Sequence, residues 1–343
     1  MSERKRVVRV GMIGCGSIFK RHAEAVSLNR ERIKLVALCD IDEKRVCSYA
    51  AEFDVRGFTD YLQMLEEMRG KMDLVAVTSP NQFHFDQTIA SLRRGYNVLV
   101  EKPVDTSSKR AIKISDEAHK LGRKAFAVLQ VRYHKSIDAV HEALSQGLIG
   151  RVRSVSLVQR WQRPEEFFNS WRSEANAHSR ILYDVGIHYL DIVQLMFGLP
   201  EVKSTHIFSN KHTKLKFEDT VFSILRFPSG ASGSIEITVA AEPRNIECSL
   251  SIMGSGGYIK LGGKALEKIE SALFSFPQDE ESWEKIISSK MSGESGPWPQ
   301  VLVGSAPNHP ILYREMIEGR GIPISEAVNS IKFIEAIYRK VGI

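Results

Sequence analysis

A lysine, a histidine and two aspartates are spaced in this 343-residue chain as groups able to move a proton. Lys102 follows the short apolar run Val98-Leu99-Val100, inside Glu101-Lys102-Pro103. The run reads as a buried parallel strand, and in an open α/β sheet ligands bind beyond the carboxyl ends of the strands. An amine emitted there points into a cleft and is a catalytic candidate. Asp184, His188 and Asp191 fall at i, i+4 and i+7 of an apolar segment, which places them on one helix face. An imidazole titrates near neutrality, and Asp184 or Asp191 would fix its tautomer and stabilise the imidazolium. The stripe is either an acid/base site or a satisfied internal hydrogen-bond network.

The elements that must position these groups are legible. Val7 to Ile13 reads as a strand, followed by Gly14-Cys15-Gly16-Ser17-Ile18-Phe19 and a helix containing His22. Gly14 permits a tight turn, and Gly16 lets a pyrophosphate approach backbone N–H groups and the helix dipole. Phe19 holds the third glycine position, so either the helix stands off the strand or Phe19 turns outward. The strand Ile33 to Cys39 ends at Asp40, whose carboxylate is placed to accept ribose hydroxyls and repel a 2′-phosphate, selecting NAD over NADP. Asp40 also reads as the N-cap of a helix over Glu43 to Phe53, and Lys44 and Arg45 are placed to stack on adenine or hold a phosphate. Met72 to Val77 is a strand running into Thr78-Ser79-Pro80-Asn81 and a helix with His84. Lys124 to Leu129 completes the set, before Gln130-Val131-Arg132. This strand–helix alternation predicts a parallel, doubly wound sheet over residues 1–129.

From residue 130 to 343 the texture is α+β. A polar and aromatic stretch from Gln159 to Arg180 is long for a loop without function. Leu182 to Phe197 reads as a helix stopped by Gly198, and Val202 to Ile259 as a run of strands in a large, mostly antiparallel, open sheet. One sheet face would pack on helices and the other serve subunit association. Gly293 to Pro307 reads as a mobile loop, and His309 opens a helix carrying Tyr313. Lys and Arg outnumber Asp and Glu by 47 to 41 without a dense basic block, which suits a small anion and not a nucleic acid. The cysteines Cys15, Cys39, Cys47 and Cys248 show no metal spacing, so no zinc site is expected. With no long apolar run and no signal-peptide pattern, a cytoplasmic protein away from membranes is expected.

Taken together, Gly14-x-Gly16 with His22, Ser79-Pro80-Asn81 with His84, Glu101-Lys102-Pro103, Gln130-x-Arg132 and Asp184-x-Gly186-x-His188 resemble the glucose–fructose oxidoreductase, inositol dehydrogenase and MocA family of NAD(P)-dependent oxidoreductases. The resemblance covers essentially the whole chain. It implies a Rossmann dinucleotide-binding domain, an α+β substrate domain whose sheet makes homodimers or homotetramers, and a cis Lys102–Pro103 peptide. It implies cofactor contacts from Gly14, Gly16, Ser17, Ile18, Asp40, Ile41, Arg45, Thr78, Ser79, Asn81, His84, Glu101, Lys102, Gln130, Trp171 and Arg172. Substrate contacts would come from Lys102, Arg132, Arg163, Arg180, Asp184, His188 and Tyr313, with Lys102, His188 and Asp184 catalytic. His188 would accept the hydroxyl proton and Lys102 polarise the same oxygen, with the roles exchangeable.

Trp161 to Phe168, Trp171-Arg172, Glu218-Asp219-Thr220 and His309-Pro310-x-x-Tyr313 resemble one branch, the UDP-N-acetylglucosaminuronate 3-dehydrogenases of surface-polysaccharide synthesis. The chain departs from that branch at His178-Ser179-Arg180, where glycines are usual; the cation there either grips a carboxylate or narrows the pocket. Each of Arg132, Arg163, Arg172 and Arg180 is a candidate for a substrate carboxylate or diphosphate, or else a structural ion pair. The alternatives are a dehydrogenase of a free sugar, an inositol or another nucleotide sugar, and a non-catalytic dinucleotide sensor.

Overall fold

The computed structural model describes residues 6–168, 172, 177–209, 211, 218–291 and 308–343. The chain divides into two compact units, Met1–Leu129 with His309–Ile331, and Gln130–Asn308 with Lys332–Ile343. Among the described residues no helix is long and apolar enough to cross a membrane.

The first unit is built on strands β1 (Val8–Ile13), β2 (Ile33–Cys39), β3 (Arg56–Phe58), β4 (Leu74–Val77), β5 (Asn97–Val100) and β6 (Ala125–Ala127). Between them run helices α1 (Phe19–Leu28), α2 (Glu43–Phe53), α3 (Tyr61–Glu67), α4 (His84–Arg93) and α5 (Ser108–Lys120). The strands pair in parallel in the order β3-β2-β1-β4-β5-β6. Val10, Met12, Val75, Val77, Val98 and Val100 are fully buried, as expected of strands covered on both faces. Register then aligns the strand ends: Ile13 pairs with Cys39 and Val77, and Val77 with Val100. The residues that follow, Gly14, Asp40, Thr78 and Glu101, therefore stand along one sheet edge. β3 was not expected, because three residues are too few to show a period; Cys39 and Phe58 pair at its end.

The second unit contains α6 (Lys135–Ser145), β7 (Val152–Arg160), a π-helical turn (Leu182–Gly186), α7 (Ile187–Phe197), β8 (Glu201–Phe208), β9 (Thr220–Arg226), β10 (Ser232–Thr238), β11 (Glu247–Gly254), β12 (Gly257–Gly262), β13 (Lys268–Phe274) and α8 (Pro277–Met291). Its seven strands run β13-β12-β11-β7-β10-β9-β8, antiparallel except for the β7–β10 pair. One sheet face buries Val155, Leu157, Ile235, Ile237, Leu250 and Ile252. The other is mixed and not simply apolar. Ser156 bonds Ser234, and Arg160 pairs with Glu236 and Glu247, while Phe222 and Ile224 stay exposed. The strand β13 and helix α8 were not foreseen. The expected loop over 293–307 lies outside the described residues. Later come α9 (His309–Ile317), in the first unit, and α10 (Ile324–Arg339), within which the division of the chain falls.

Asn308 ties the start of the second unit to the end of its long segment, its amide donating to the Gln130 carbonyl at 2.9 Å and to His134 Nδ1 at 3.1 Å. Burial pushes the His134 pKa from 6.5 down to about 4, against the pull of Glu267. The folded state thus binds fewer protons than the unfolded one below pH 6.5, so this group's stability is complete above that pH and lost as pH falls towards about 4. The loss amounts to at most about 3 kcal/mol. Denaturant melts at several pH values should show His134→Gln flattening this part of the pH dependence.

Candidate functional site

Gly14 adopts φ +102°, and a Cβ there would stand 2.5 Å from the Ser79 nitrogen. The Thr78 hydroxyl donates to the Gly14 carbonyl at 2.7 Å, which clamps the turn against the end of β4. Gly16 differs, since a Cβ on it would meet nothing within 4 Å. Gly16 and Ser17 are exposed and Ile18 half-buried, at the start of α1. This open backbone beside a helix N-terminus is shaped for a pyrophosphate. Phe19 turns away towards α2, fully buried against Tyr49 and Phe53 at centroid distances of 4.6 and 5.7 Å.

Asp40 accepts from the Cys15 N–H at 2.7 Å and the Asp42 N–H at 2.9 Å. It is not the α2 cap; Asp42 is, accepting from the Arg45 N–H at 3.0 Å. The Arg45 guanidinium folds back onto Asp40 and Asp42. Beside them Ile41 is 91% exposed, an apolar surface at the tip of β2 that suits a flat aromatic base. An open glycine backbone, a strand-end carboxylate and this apolar tip together fit a dinucleotide.

Several expected cofactor contacts turn inward instead. His84 is 1% exposed, with its ring nitrogens 2.8 Å from the Pro103 carbonyl oxygen and 2.9 Å from that of Ser79. Burial pushes its pKa down against the pull of the two carbonyls, and as a neutral ring it donates to one of them and packs against the other. The Ser79 hydroxyl donates to Gln87, and Asn81 is buried in the turn before α4. Glu101 is 6% exposed; His22 lies 2.9 Å and His309 3.8 Å from its Oε1, while its Oε2 accepts the Lys102 N–H at 2.9 Å. Tyr313, expected at the substrate, is fully buried with its hydroxyl 2.9 Å from His22 Nδ1. Lys102 is half-buried and the Lys102–Pro103 peptide is cis.

In the second unit, the segment carrying Asp184 and His188 lies against the sheet. A Cβ on Gly186 would come within 3.0 Å of the Ile237 side chain of β10, so the glycine permits the close approach. The first turn is π-wound, which takes Asp184 off the regular α spacing from His188. Gln130 Nε2 stands 3.5 Å from His188 Nε2, and His188 is 7% exposed. The two carboxylates expected to serve that ring are held by arginines. Asp184 accepts from Arg172 Nε at 2.6 Å, and Asp191 takes both ends of the Arg132 fork at 2.7 and 2.8 Å.

The four candidate arginines are thereby sorted. Arg132 is committed to Asp191 and Arg172 to Asp184. Arg180 donates to Glu218 at 2.7 Å and lies over the Tyr338 ring, so its charge is met inside the protein by an ion pair, the structural alternative for these arginines. Arg163 alone of the four has no carboxylate partner among the described residues. It stacks on Trp161 at 4.7 Å and Phe167 at 5.3 Å, and donates only to neutral oxygens of Gln162 and Asn245. Burial pulls its pKa down, yet arginine stays charged, leaving a half-buried cation suited to an outside anion. Trp171 lies outside the described residues.

Residues 8–129 match the oxidoreductase family with an NAD-binding Rossmann fold, and residues 137–260 match the GFO/IDH/MocA C-terminal domain. The chain belongs to the Gfo/Idh/MocA oxidoreductase family. Its structure is similar to that of the WlbA dehydrogenase from Bordetella pertussis in complex with NADH and UDP-GlcNAcA, with a TM-score of 0.84 and 26% identity over 98% of each chain. The D-glucoside 3-dehydrogenase of Escherichia coli K12 is 26% identical over 257 residues, 69% of this chain and 72% of that protein. An inositol 2-dehydrogenase of Saccharopolyspora erythraea is 27% identical over 243 residues, 68% and 67% of the two.

Sequence reasoning passed over two residues of this Gfo/Idh/MocA chain. Phe167 lies under both Arg163 and Arg172, and nothing in its surroundings along the chain signals that. His309 faces Glu101, and only its neighbourhood with Tyr313 hinted at a shared role. The two glycines of the first turn should separate in experiment. Gly14→Ala should cost roughly 1–3 kcal/mol of stability by backbone strain. Gly16→Ala should melt like the parent but bind NAD more weakly, which calorimetric titration would measure.

Proposed function

We propose that this oxidoreductase removes hydride from a secondary hydroxyl of a sugar, and that the sugar is a nucleotide-linked uronic acid oxidised at C3. The observation that carries the substrate class is Arg163. Three of its fellow arginines are neutralised internally, whereas a carboxylate presented to Arg163 would meet a planar fork already oriented by two aromatic faces. The similarity to a protein holding NADH and UDP-GlcNAcA supports the same class. NAD, when bound, supplies the hydride acceptor. In this reading residues 1–129 hold it, residues 130–343 hold the sugar, and the mixed face of the second sheet pairs copies of the chain.

Oxidation also needs the hydroxyl proton removed. We assign that to His188, with Lys102 orienting and polarising the oxygen, and Asp184 fixed for its part by Arg172. Lys102→Ala and His188→Asn should each lower turnover by about 10²- to 10⁴-fold. Either variant turning over normally would overturn the assignment.

Thermal melts with NAD present, against UDP-GlcNAcA, UDP-N-acetylglucosamine, myo-inositol and free hexoses, test the substrate while nicotinamide absorbance is followed. Stabilisation and reduction with the UDP-uronate alone is expected. Response to a neutral polyol alone, as the glucoside and inositol dehydrogenase relatives allow, would replace the substrate class. Arg163→Met should raise KM for the uronate about tenfold or more, the worth of a charged hydrogen bond, and leave binding of UDP-N-acetylglucosamine, whose sugar has no carboxylate, unchanged.

A further inference from the structure

Tyr313 of α9, His22 of α1 and Glu101 at the end of β5 make a continuous hydrogen-bonded chain that ends on the backbone of Lys102. Tyr313 and His22 are fully buried, His309 is 1% exposed and Glu101 6%. All belong to the first unit. A buried carboxylate is costly unless hydrogen-bonded, and apolar side chains would fill the same space with less penalty. The retained polar chain therefore calls for a task beyond filling the core.

The proton positions follow from the chemistry. Burial and the Glu101 charge both push the Tyr313 pKa up, so its hydroxyl keeps its proton and donates to His22 Nδ1. Burial pushes the His22 pKa down, so the ring is neutral with one proton. That proton must sit on Nε2, facing Glu101 Oε1 at 2.9 Å. Burial alone would raise the Glu101 carboxyl, but the histidine hydrogen bonds outweigh it and hold the group well below its usual range. Its second oxygen is then free to hold the Lys102 N–H at 2.9 Å. The ligand-type atoms of His22, Glu101 and His309 lie within 4.8 Å of one another, a spacing a metal ion would also accept. The hydrogen bond from His22 already meets Glu101 without one.

We propose that Tyr313 and His22 are positioning residues for Lys102: the Glu101 carboxylate takes the proton of His22 Nε2, the tyrosine hydroxyl at Nδ1 fixes the imidazole ring in that orientation, and Glu101 holds the Lys102 backbone. The proposal rests on the reading of Lys102 as a catalytic residue. Tyr313→Phe keeps the aromatic ring but removes the donor to Nδ1, so the His22 imidazole loses one of its two anchors while its proton stays on Nε2 against the carboxylate. His22→Gln restores an N–H towards Glu101 whose placement needs no tautomer.

Two measurements test this. In the protein without added ligand, ¹⁵N NMR of the histidines, with His22 assigned by its loss in His22→Gln, should show the Nε2–H form in the parent and in Tyr313→Phe, with the Nδ1 resonance shifted in the variant by loss of the tyrosine hydrogen bond. With NAD and the sugar found active, Tyr313→Phe should lower kcat about tenfold with KM for NAD within twofold. His22→Gln should keep most turnover, and adding Tyr313→Phe to it should cost little more. An Nδ1–H form of His22 in the parent, an Nδ1 resonance unmoved by Tyr313→Phe, or kcat losses that add in full in the double variant, would overturn the proposal. So would a stoichiometric divalent metal in the purified protein that disappears in His22→Leu. Loss of turnover in Lys102→Ala with Tyr313→Phe fully active refutes the positioning chain alone; normal turnover in Lys102→Ala refutes the role of Lys102 and the chain with it.

Discussion

The Glu101 carboxylate is taken out of water and must be met by donors inside the protein. That requirement draws α1, the end of β5 and the start of α9 onto one point, through His22, Lys102 and His309 with Tyr313 behind. The glycine turn precedes α1 directly, and register sets Gly14, Asp40, Thr78 and Glu101 in line. Anchoring Glu101 thus holds the strand end that carries Lys102 in the same frame as the turn shaped for a pyrophosphate.

The same rule governs the second unit with guanidinium groups. Asp191, Asp184 and Glu218 are each buried or nearly so, and each is met by an arginine. Tyr338 adds a second contact to Glu218 and accepts the N–H of Leu182, where the π-wound turn begins. These pairs hold the segment bearing Asp184 and His188, while Gly186 lets it rest on β10. Arg163 stands outside the scheme because stacking on Trp161 and Phe167 supports its plane without cancelling its charge. Three arginines are met by internal carboxylates, and the proposed anion contact falls to the fourth.

Much of this was readable along the chain because the signals are local. Apolar runs ending at Gly14, Asp40, Thr78 and Glu101 mark strands of a parallel sheet. Elements without a local period were not: β3 is three residues long, and β13 carries Glu270 and Ser271 amid its apolar positions. The change from π to α winding at Gly186 likewise has no periodic mark, since it depends on what the helix rests against.

Fold class, family and the residue types on which the proposed chemistry draws are readable from the linear chain, because motif order and strand–helix alternation are properties of neighbours along it. Which of those polar groups are occupied emerges once the chain is folded. Four arginines look alike in sequence, yet Arg132, Arg172 and Arg180 meet carboxylates 12 to 59 residues further along and Arg163 meets aromatic rings. Tyr313 and His84 resemble ligand contacts in sequence, and burial makes them internal supports. Charge compensation acts through space, and no spacing rule along the chain carries it.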